Sequence, residues 1–448
     1  MLLCPAPAAA DVTVDVVPYV DSDAWSKEHV KALEDFLRWC EERGIRAAIF
    51  HYNLCERTAP GITEVIRGFA DRGVLTVVGL HSASHAMGGL PLAIQYWELA
   101  VNRDFLEKKV GRADPVLSVP YWVLDVNTLR ACAMAGVRIL VDGNDPAGMG
   151  PEPGEWSSIP GLSRRLVVGR WDVDGVRLYR LPAVAWSDLW EEGSTVDEAC
   201  RRLQRAVSGL VDGGWCREGR VTVWVLVHPW ELARREFLRS FEEFLDRVRS
   251  GRLDFEHGGV RVRFRLADPR EVVERVEEYV ARPLPRPDLP WILRAEGFPD
   301  PGRLRAELLK EASEGREDAV RGLRVLEIWE RCMQILWGVD GELLALTRAG
   351  KVTRRLRELV EKVVSVIWND VGVYSAIREW RDLDAALTFA RRMLADVMEL
   401  AGAVESAYAE LVASSGRKGG RRPVAAVPTP IPRPRSGEDE EGGDDLSE

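Results

Sequence analysis

Six histidines are spread along the 448 residues, and two of them are close enough in sequence to bind one metal ion. His81 and His85 occur in Gly-Leu-His-Ser-Ala-Ser-His, directly after the apolar run Val74–Leu80. If that run is a strand, both side chains emerge at its carboxyl end, where barrel enzymes place their active sites. A spacing of four residues on an incipient helix puts two imidazoles on one face, where they can share a cation. The alternative is that Ser82 and Ser84 cap a helix and that both histidines are solvated.

Two carboxylates and a third histidine follow other apolar runs in the same way. Asp21 and Asp23 come after Val12–Val20, and His228 follows Val221–Val227. One carboxylate would complete a metal site with the two imidazoles, and the other would act as a general base towards water. The competing explanation is that one aspartate caps the next helix and that His228 lies at the edge of a core. Three strand ends that carry titratable groups favour a shared active-site mouth.

The elements that must position these groups alternate between β-branched runs and amphipathic helical stretches from Asp11 to about Val280. This alternation is typical of βα units around a mainly parallel sheet. The predicted strands are Val12–Val20, Arg46–His51, Leu75–Leu80, Val116–Val119, Val137–Val141, Val176–Leu181, Val221–Val227 and Val260–Leu266. The predicted helices between them include Lys27–Arg43, Ile62–Asp71, Asn127–Ala135 and Val196–Leu210. The Asp-Gly pair at the end of Trp171–Gly175 predicts a hairpin inserted into the barrel.

Changes in composition divide the chain into five segments. Residues 1–10 are an apolar leader without a basic region, so we expect no targeting and a cytoplasmic location. Residues 11–280 form the barrel, and the Pro-rich residues 281–294 link it to an all-α domain at 295–413. A heptad-like apolar seam runs from Leu383 to Leu411. It favours packing against neighbouring helices, with a homo-oligomeric coiled coil as the alternative. Residues 414–448 are rich in Gly, Pro and charge, which predicts disorder.

The overall composition excludes several classes of protein. The formal net charge of -10 argues against a nucleic-acid partner, because such proteins carry a basic face. No apolar run reaches the roughly 20 residues that a membrane-spanning helix needs, so we expect no membrane partner. The seven cysteines include no Cys-x-x-Cys pair, which indicates buried thiols and neither a disulfide framework nor a zinc ribbon.

The order of the motifs resembles the polysaccharide deacetylases, carbohydrate esterase family 4, within the larger glycoside hydrolase/deacetylase superfamily. The family opens with a strand that ends in two aspartates, here Val20-Asp21-Ser22-Asp23, and its second motif, His-Ser/Thr-x-x-His, matches His81–His85 in full. Its third motif, Arg-x-Pro-Tyr-Gly, corresponds to Ser118-Val-Pro-Tyr-Trp122, and the last, Leu-x-His, to Leu226-Val-His228. The resemblance covers about residues 11–270 and implies a (β/α)7-type distorted barrel, followed here by the all-α C-terminal domain.

The resemblance also implies a role for individual residues. The ligands of a divalent metal, for which we expect zinc, would be Asp23, His81 and His85. Asp21 would be the general base, and His228 would be the general acid that protonates the leaving group. The backbone N–H of Tyr121 would help to hold the oxyanion. A bound divalent cation would polarise the acetyl carbonyl and lower the pKa of water, so that attack occurs near neutral pH.

The chain departs from the family pattern at two positions. Ser118 stands where the family has an arginine that orients the base, and Ser22 separates two aspartates that are adjacent in the family. Asp142 or Asp145, after the next predicted strand, would substitute as a supporting group near the base, although Asp142 is equally compatible with a turn.

Three functions are compatible with these observations. The leading hypothesis is a metal-dependent hydrolase that removes N- or O-acetyl groups from a carbohydrate, with Trp122 and Trp230 as candidates for contact with the sugar. The second is a glycosidase or glycosyl-transferring enzyme of the same superfamily, which needs two carboxyl groups about 5 to 9 Å apart. The third is a catalytically silent carbohydrate-binding protein, favoured by the missing arginine and the large helical region.

Overall fold

A closed barrel of parallel strands forms the N-terminal part of the molecule. The computed structural model describes residues 10–143, 165–216, 219–279, 281–287, 298–379 and 382–416. Within them the strands are β1 (Ala10–Asp21), β2 (Ala47–His51), β3 (Leu75–Leu80), β4 (Val116–Ser118), β5 (Ile139–Asp142), β6 (Gly169–Val173), β7 (Val176–Ala185), β8 (Gly219–Val227), β9 (Phe255–His257), β10 (Val260–Leu266) and β11 (Arg282–Pro283).

The barrel closes in the order β1-β2-β3-β4-β5-β7-β8-β1, and every neighbouring pair in this ring is parallel. β2 pairs with the carboxyl end of β1, whereas β10 pairs with the amino-terminal half of β1 and carries β9 antiparallel beside it. The ring is therefore continuous at its mouth and distorted at the opposite end. This arrangement confirms the predicted (β/α)7-type distorted barrel.

Helices connect the strands and cover the barrel wall. They are α1 (Lys27–Arg43), α2 (Asn53–Thr58), α3 (Ile62–Asp71), α4 (Leu92–Lys109), α5 (Val126–Ala135), α6 (Trp186–Leu189), α7 (Val196–Asp212), α8 (Pro229–Leu232), α9 (Arg235–Arg249) and α10 (Pro269–Glu274). The C-terminal region adds α11 (Pro301–Ser313), α12 (Glu317–Arg348), α13 (Arg354–Val364), α14 (Asp370–Arg378) and α15 (Leu383–Gly416). The helical C-terminal region was predicted, and it is confirmed.

The interior of the barrel is sealed below the mouth by aromatic rings. Side chains alternate along a strand, so Tyr19 and Asp21 of β1 lie on the same face. The ring of Tyr19 packs edge-on against Phe50, with centroids 5.4 Å apart, and against Trp224 at 5.9 Å. Phe50 lies so close to Gly79 that a Cβ there would be 2.3 Å from its ring. The interior of the barrel is thus a packed core, and a binding site would have to lie at its mouth.

An ion-pair cluster closes the opposite end of the barrel. Asp15 of β1 is fully buried, and its carboxylate accepts hydrogen bonds from Arg220 at 2.8 Å, from the Tyr279 hydroxyl at 2.5 Å and from Arg265. A carboxylate is buried at acceptable cost when it is paired and hydrogen-bonded in this way. The burial of Asp15 is therefore explained by its ion pairs and hydrogen bonds at the closed end of the barrel.

The C-terminal helices share their core with the barrel. One continuous apolar cluster contains Ala83 and Ala86 of the loop after β3, Trp97 of α4, and buried side chains of α12 and α15. Polar contacts reinforce it, because Asp340 of α12 accepts a 2.7 Å hydrogen bond from the Ala93 N–H. The helices therefore pack against the segment that carries the two closely spaced histidines.

The apolar seam of α15 faces this shared core. Its buried members include Leu387, Ala390, Val397, Ala401 and Val404, which cluster with the buried side chains of α12 and α13. The seam is thus used within the chain, as the first alternative predicted, and a homo-oligomer stays a prediction. α15 continues to Gly416, three residues into the segment for which we predicted disorder. Residues 417–448 lie outside the described residues.

Several local predictions can be compared with the structure. β6 and β7 are antiparallel and are joined at Asp174-Gly175, where both residues have positive φ, so the predicted hairpin is confirmed.

The Pro-rich segment is described only in part. Arg282–Pro283 pairs with β6, while residues 288–294 of that segment lie outside the described residues. Residues 1–9 and Asp145 are outside them as well. The six cysteines in the described part of the chain are buried, as predicted. No helix within the described residues is long and apolar enough to cross a membrane.

Candidate metal centre

The candidate residues meet at the carboxyl ends of the parallel strands. Asp21 is the last residue of β1, His81 directly follows β3, and His228 directly follows β8. Ser26 is the N-cap of α1, since its hydroxyl accepts a hydrogen bond from the His29 N–H. The capping role proposed as an alternative for Asp21 or Asp23 is therefore taken by a serine.

The segment from His81 to His85 is a loop, so the prediction of an incipient helix is wrong. Ser82 and His85 have φ values of 75° and 66°, in the left-handed region that only a few residues adopt without strain. The loop brings the two imidazoles together, with ring centroids 4.8 Å apart. The Ser82 hydroxyl accepts a 3.1 Å hydrogen bond from the Ala86 N–H, which helps to hold this conformation.

Buried polar side chains of α4 hold the loop from behind. Glu98 accepts hydrogen bonds from the N–H groups of Ala83 and Ser84 and from the Ser84 hydroxyl, at 2.6 to 2.9 Å. Asn102 accepts a 3.1 Å bond from the His81 N–H and donates a 3.0 Å bond to the His51 carbonyl. Two strand ends and the histidine loop are therefore tied to one helix.

The side chains of Asp23, His81 and His85 form a compact group of metal-binding donors. Their ligand atoms all lie within 4.8 Å of one another. Asp23 Oδ2 is 3.4 Å from His85 Nε2, and Asp23 Oδ1 is 4.0 Å from His81 Nε2. Burial raises the pKa of Asp23, but the neighbouring imidazoles of His85, His81 and His228 hold it well below its usual range. The site therefore presents a carboxylate to the two imidazoles.

The tautomer of His81 is set by its contact with β4. His81 Nδ1 donates a 2.9 Å hydrogen bond to the Ser118 carbonyl, which leaves Nε2 with a lone pair directed to the site. Burial and the nearby His85 lower the pKa of His81 to about 3, so its ring is neutral at physiological pH. A neutral imidazole with a fixed tautomer is the form that binds a metal ion.

Asp21 lies next to this group and contacts Ser118. The Ser118 hydroxyl donates a 3.0 Å hydrogen bond to Asp21 Oδ2, so this serine orients the carboxylate. Burial raises the pKa of Asp21, and so does the neighbouring Asp23, while His228 and the Ser118 bond lower it; the net result is a pKa of about 7. A carboxyl group with a pKa near neutrality is suited to general base catalysis.

Ser22, which separates the two aspartates, is held on three sides. Its hydroxyl lies 2.7 Å from His51 Nδ1, its N–H donates to the Phe50 carbonyl at 3.0 Å, and its carbonyl accepts from the Cys55 thiol at 2.6 Å. On the other side of the His51 ring, Nε2 lies 3.0 Å from the Thr63 hydroxyl, within hydrogen-bond distance. The inserted residue is therefore part of a buried network that fixes the end of β1.

His228 faces the same site from β8. Its Nε2 is 3.8 Å from Asp23 Oδ2, and its Nδ1 donates a 2.8 Å hydrogen bond to Glu231. Burial lowers the pKa of His228, but the bond to Glu231 and the charges of Glu231, Asp23 and Asp21 outweigh burial and raise it to about 9. His228 is therefore protonated at neutral pH, as a general acid must be.

Tyr121 and Trp122 occupy a strained turn after β4. Their φ values are 52° and 53°, and the Tyr121 ring lies 4.5 Å from that of His85. Among the described residues, no acceptor receives a hydrogen bond from the Tyr121 N–H. The Trp122 side chain is half-buried, and its ring packs on Gly143. A Cβ at Gly143 would lie 2.4 Å from that ring. The turn thus directs Tyr121 to the centre, while Trp122 packs against the wall.

Asp142 and Trp230 complete the set of predicted site residues. Asp142 lies at the end of β5, where its Oδ2 accepts a 2.9 Å hydrogen bond from Nε of the fully buried Arg180. Trp230 stacks on His228 with ring centroids 5.3 Å apart. The structure therefore places Trp230 at the mouth and Asp142 in a buried ion pair.

Two residues of the site were not predicted. Tyr52 follows β2, and its ring lies 5.4 Å from His81 and 5.3 Å from His85, close to the Asp23 carboxylate. Glu231 is buried beneath His228. Tyr52 stands directly after a predicted strand, which is the signal that identified the other residues. Glu231 follows a histidine at a spacing of three, which is typical of capping-box glutamates.

Comparisons with known proteins found no protein-family model and no curated protein that matches the chain. A family 4 carbohydrate esterase from Streptomyces lividans is 15% identical, with a TM-score of 0.31, over 56% of this chain and 90% of its own. A 4-alpha-glucanotransferase from Thermococcus litoralis is 13% identical, with a TM-score of 0.47, over 85% of this chain and 60% of its own. An alpha-mannosidase from Enterococcus faecalis is 10% identical, with a TM-score of 0.48, over 90% and 43%.

These solved structures include carbohydrate esterases and enzymes that act on glycosidic bonds. The chain spans less than two thirds of the glucanotransferase and of the mannosidase. At such identities and TM-scores the neighbours establish neither the family nor the reaction of this protein. What the mouth of the barrel can do chemically must follow from its own residues.

Proposed function

We propose that this protein is a metal-dependent hydrolase that removes acetyl groups from a carbohydrate. The observation that carries the proposal is a cluster of buried atoms without a hydrogen-bond partner among the described residues: Asp21 Oδ1, Asp23 Oδ1 and His81 Nε2. Leaving one buried polar atom unpaired costs about 1 to 3 kcal/mol. Three such atoms at one strand mouth are accounted for if they face a cation and its substrate.

The donor set fits a divalent cation such as zinc. Ligand atoms at about 2.0 to 2.2 Å from a tetrahedral zinc ion are roughly 3.3 to 3.6 Å apart. The 3.4 Å separation of Asp23 Oδ2 and His85 Nε2 lies within this range, and the 4.0 Å separation of Asp23 Oδ1 and His81 Nε2 is slightly above it. When bound, such a cation polarises the acetyl carbonyl and lowers the pKa of water. Asp23, His81 and His85 would hold it.

Asp21 would take the proton from the attacking water. Its carboxylate is fixed by Ser118, and its raised pKa makes it a stronger base than a solvated aspartate. Water then forms a bond to the acetyl carbon, and the carbonyl oxygen becomes an oxyanion. The N–H of Tyr121 would donate a hydrogen bond to that oxyanion.

His228 would supply the proton that the leaving group needs. Glu231 keeps its imidazole charged, and the ring lies beside Asp23 at the mouth. Transfer of this proton to the nitrogen or oxygen of the sugar breaks its bond to the acetyl carbon and gives acetate and the free amine or hydroxyl. The proton taken by Asp21 and the one given by His228 balance over the cycle.

Metal analysis combined with product analysis tests the proposal. The purified chain should bind one zinc or similar ion and release acetate from chitooligosaccharides or acetylated xylooligosaccharides. An Asp21→Asn variant should keep the metal and lose most of the acetate release. Reducing ends produced without acetate would instead identify a glycosidase. Bound metal with no turnover of either kind would leave a carbohydrate-binding protein.

A further inference from the structure

A cavity lies on the outside of the barrel, away from the candidate metal centre. It is bounded by α5, by the β6–β7 hairpin and by the Pro-rich segment. β6 pairs with residues 176–180, the amino-terminal half of β7, whereas the candidate metal centre lies at the carboxyl ends of the strands. The volume of about 540 Å³ falls in the range of roughly 300 to 1,000 Å³ that is typical of small-molecule sites.

Hydrogen bonds fasten the Pro-rich segment to β6 and close one side of this cavity. The Leu284 N–H donates to the Arg170 carbonyl at 2.9 Å, and Trp171 Nε1 donates to the Pro285 carbonyl at 2.8 Å. Leu284 also covers Gly169, where a Cβ would lie 2.2 Å from the leucine side chain. The walls are therefore fixed to one another by the fold, and the cavity is preformed.

Two arginines of the lining have no partner of opposite charge among the described residues. Neither Arg170 nor Arg286 forms an ion pair there, and Arg170 Nε is buried without a hydrogen-bond partner. A buried donor on a charged group destabilises the folded chain unless an acceptor reaches it. These donors therefore indicate an anionic ligand.

The carboxylates of the lining are already neutralised by other arginines. Asp174, at the turn of the hairpin, is 3.1 Å from Arg130 of α5, and Asp172 is 3.6 Å from Arg177. The charges left over in the cavity are those of the two unpaired guanidinium groups. A phosphate monoester carries a charge of about −1.5 to −2 at neutral pH, and guanidinium groups bind phosphate through paired N–H donors. A phosphate therefore matches this lining in charge and in geometry.

The rest of the lining suits an apolar body attached to the phosphate. Val126 of α5, Val173 of β6 and Leu284 line the cavity and are half-buried. Small-molecule sites combine such an apolar lining with a few polar groups that fix the orientation of the ligand. We propose that the cavity binds a soluble phosphate monoester with an apolar or aromatic body, whose phosphate contacts Arg170 and Arg286. This second site does not depend on the function proposed for the candidate metal centre.

Calorimetric titration of the full chain with matched probes tests the cavity. Phenyl phosphate or adenosine monophosphate should bind at least about tenfold more tightly than inorganic phosphate, because only the esters also bury apolar surface. Phenol and adenosine, which lack the phosphate, should bind at least about tenfold more weakly than the corresponding ester. The affinity for the esters should fall as the salt concentration rises, because salt screens the attraction between the charges.

Substitutions in the lining locate the bound ester. Arg170→Gln should weaken its binding by at least roughly tenfold, and Arg286→Gln, at a more exposed position, by roughly three- to tenfold. Asp174→Asn removes a negative charge from the lining and frees Arg130, so binding should become tighter. Arg263→Gln, on the exposed side of β10, is the matched control and should bind the ester as wild type does.

Melting temperatures without ligand show whether each variant is folded. Because Arg286 is exposed, Arg286→Gln should melt with wild type, so it tests the cavity even if Arg170→Gln fails to fold. Ester binding that neither arginine affects would place the ligand elsewhere, for example at the candidate metal centre, and would overturn the proposal. Equal affinity for inorganic phosphate and the esters, no binding of either ester, or preference for phosphatidic acid vesicles over soluble phosphates would overturn it as well.

Discussion

The hydroxyl of Ser118 donates a 3.0 Å hydrogen bond to Asp21, which links β4 to β1 across the mouth of the barrel. A hydrogen bond to a charged group contributes about 1.5 to 3 kcal/mol, so we expect Ser118→Ala to lower kcat/KM for acetate release by at least roughly tenfold. The bond lowers the pKa of Asp21, and its loss raises that pKa. The acid limb of the pH profile should therefore move to higher pH. Ser118→Thr keeps a hydroxyl and should stay close to wild type; an unshifted limb in Ser118→Ala would exclude Asp21 as the base.

The proposed metal site depends on the two imidazoles of the loop after β3. We expect a His81→Ala, His85→Ala double variant to lose the bound metal, because only the carboxylate of Asp23 then remains in the donor set. Elemental analysis after dialysis measures this directly. A ligand that binds the folded state raises its stability, so wild type should also melt at a higher temperature with metal than without, and the double variant should not. His29→Ala, on α1, is the matched control, and unchanged metal content in the double variant would refute the site.

The charge of Glu231 is expected to set the basic limb of the activity profile. Its bond to His228 and its charge raise the pKa of that imidazole, against the effect of burial, to about 9. Glu231→Gln removes the charge, so the pKa falls and His228 loses its proton at lower pH. Activity should then decline at lower pH than in wild type. Glu236→Gln at the start of α9 serves as the control; a basic limb that does not respond to Glu231→Gln would argue against His228 as the acid.

Acid should destabilise the protein through His51. Burial lowers the pKa of this fully buried ring to about 3, compared with about 6.5 in an unfolded chain. Its contribution to stability is therefore complete above pH 6.5 and is lost as the pH falls towards 3. At pH 5 the loss is about 2 kcal/mol. Denaturant unfolding of wild type and His51→Gln from pH 7 to pH 4 should show a shallower decline in the variant. His257→Gln, on the surface strand β9, is the control, and equal slopes in wild type and His51→Gln would contradict the prediction.

The hydrogen bond between Asp340 and Ala93 is expected to stabilise the junction between the barrel and the C-terminal helices. Asp340→Ala leaves the Ala93 N–H without the acceptor that now binds it at 2.7 Å, which should cost about 1 to 3 kcal/mol of unfolding free energy. Asp340→Asn keeps a side-chain oxygen and should cost much less. Because the core is shared, we expect a single unfolding transition in each protein. Two separate transitions in wild type would mean that the barrel and the helices unfold independently.

The sequence predicted most strands because each is a short β-branched run that ends in a turn signal. Leu75–Leu80 and Val260–Leu266 have the predicted bounds, and His81 and His228 lie at the strand ends where they were expected. α4 was missed for a physical reason. It is buried between the barrel and the C-terminal helices, so it lacks the polar face that makes a helix recognisable, and its buried positions include Gln95, Glu98 and Asn102.

The contacts that tune the site could not be predicted in the same way. At the level of sequence, Ser118 was only the position at which an expected arginine is absent. Its role depends on the hydrogen bond to Asp21, a residue distant in sequence, which no local pattern predicts. The helical form expected for the segment from His81 to His85 was wrong, because a network based on Glu98 stabilises a left-handed turn against local preference. Phe298, whose ring lies 6.4 Å from that of Tyr121, reaches the mouth only through packing of the C-terminal region.

The placement of Ala83 and Ala86 in the core of the C-terminal helices restricts how this protein can vary. These two residues belong to the loop that carries His81 and His85, so a change in the helical core would move the floor of the candidate metal site. The C-terminal region therefore cannot be replaced by an unrelated helical region without affecting the barrel. Any replacement would have to provide the same support for that loop before the candidate site could bind a metal ion.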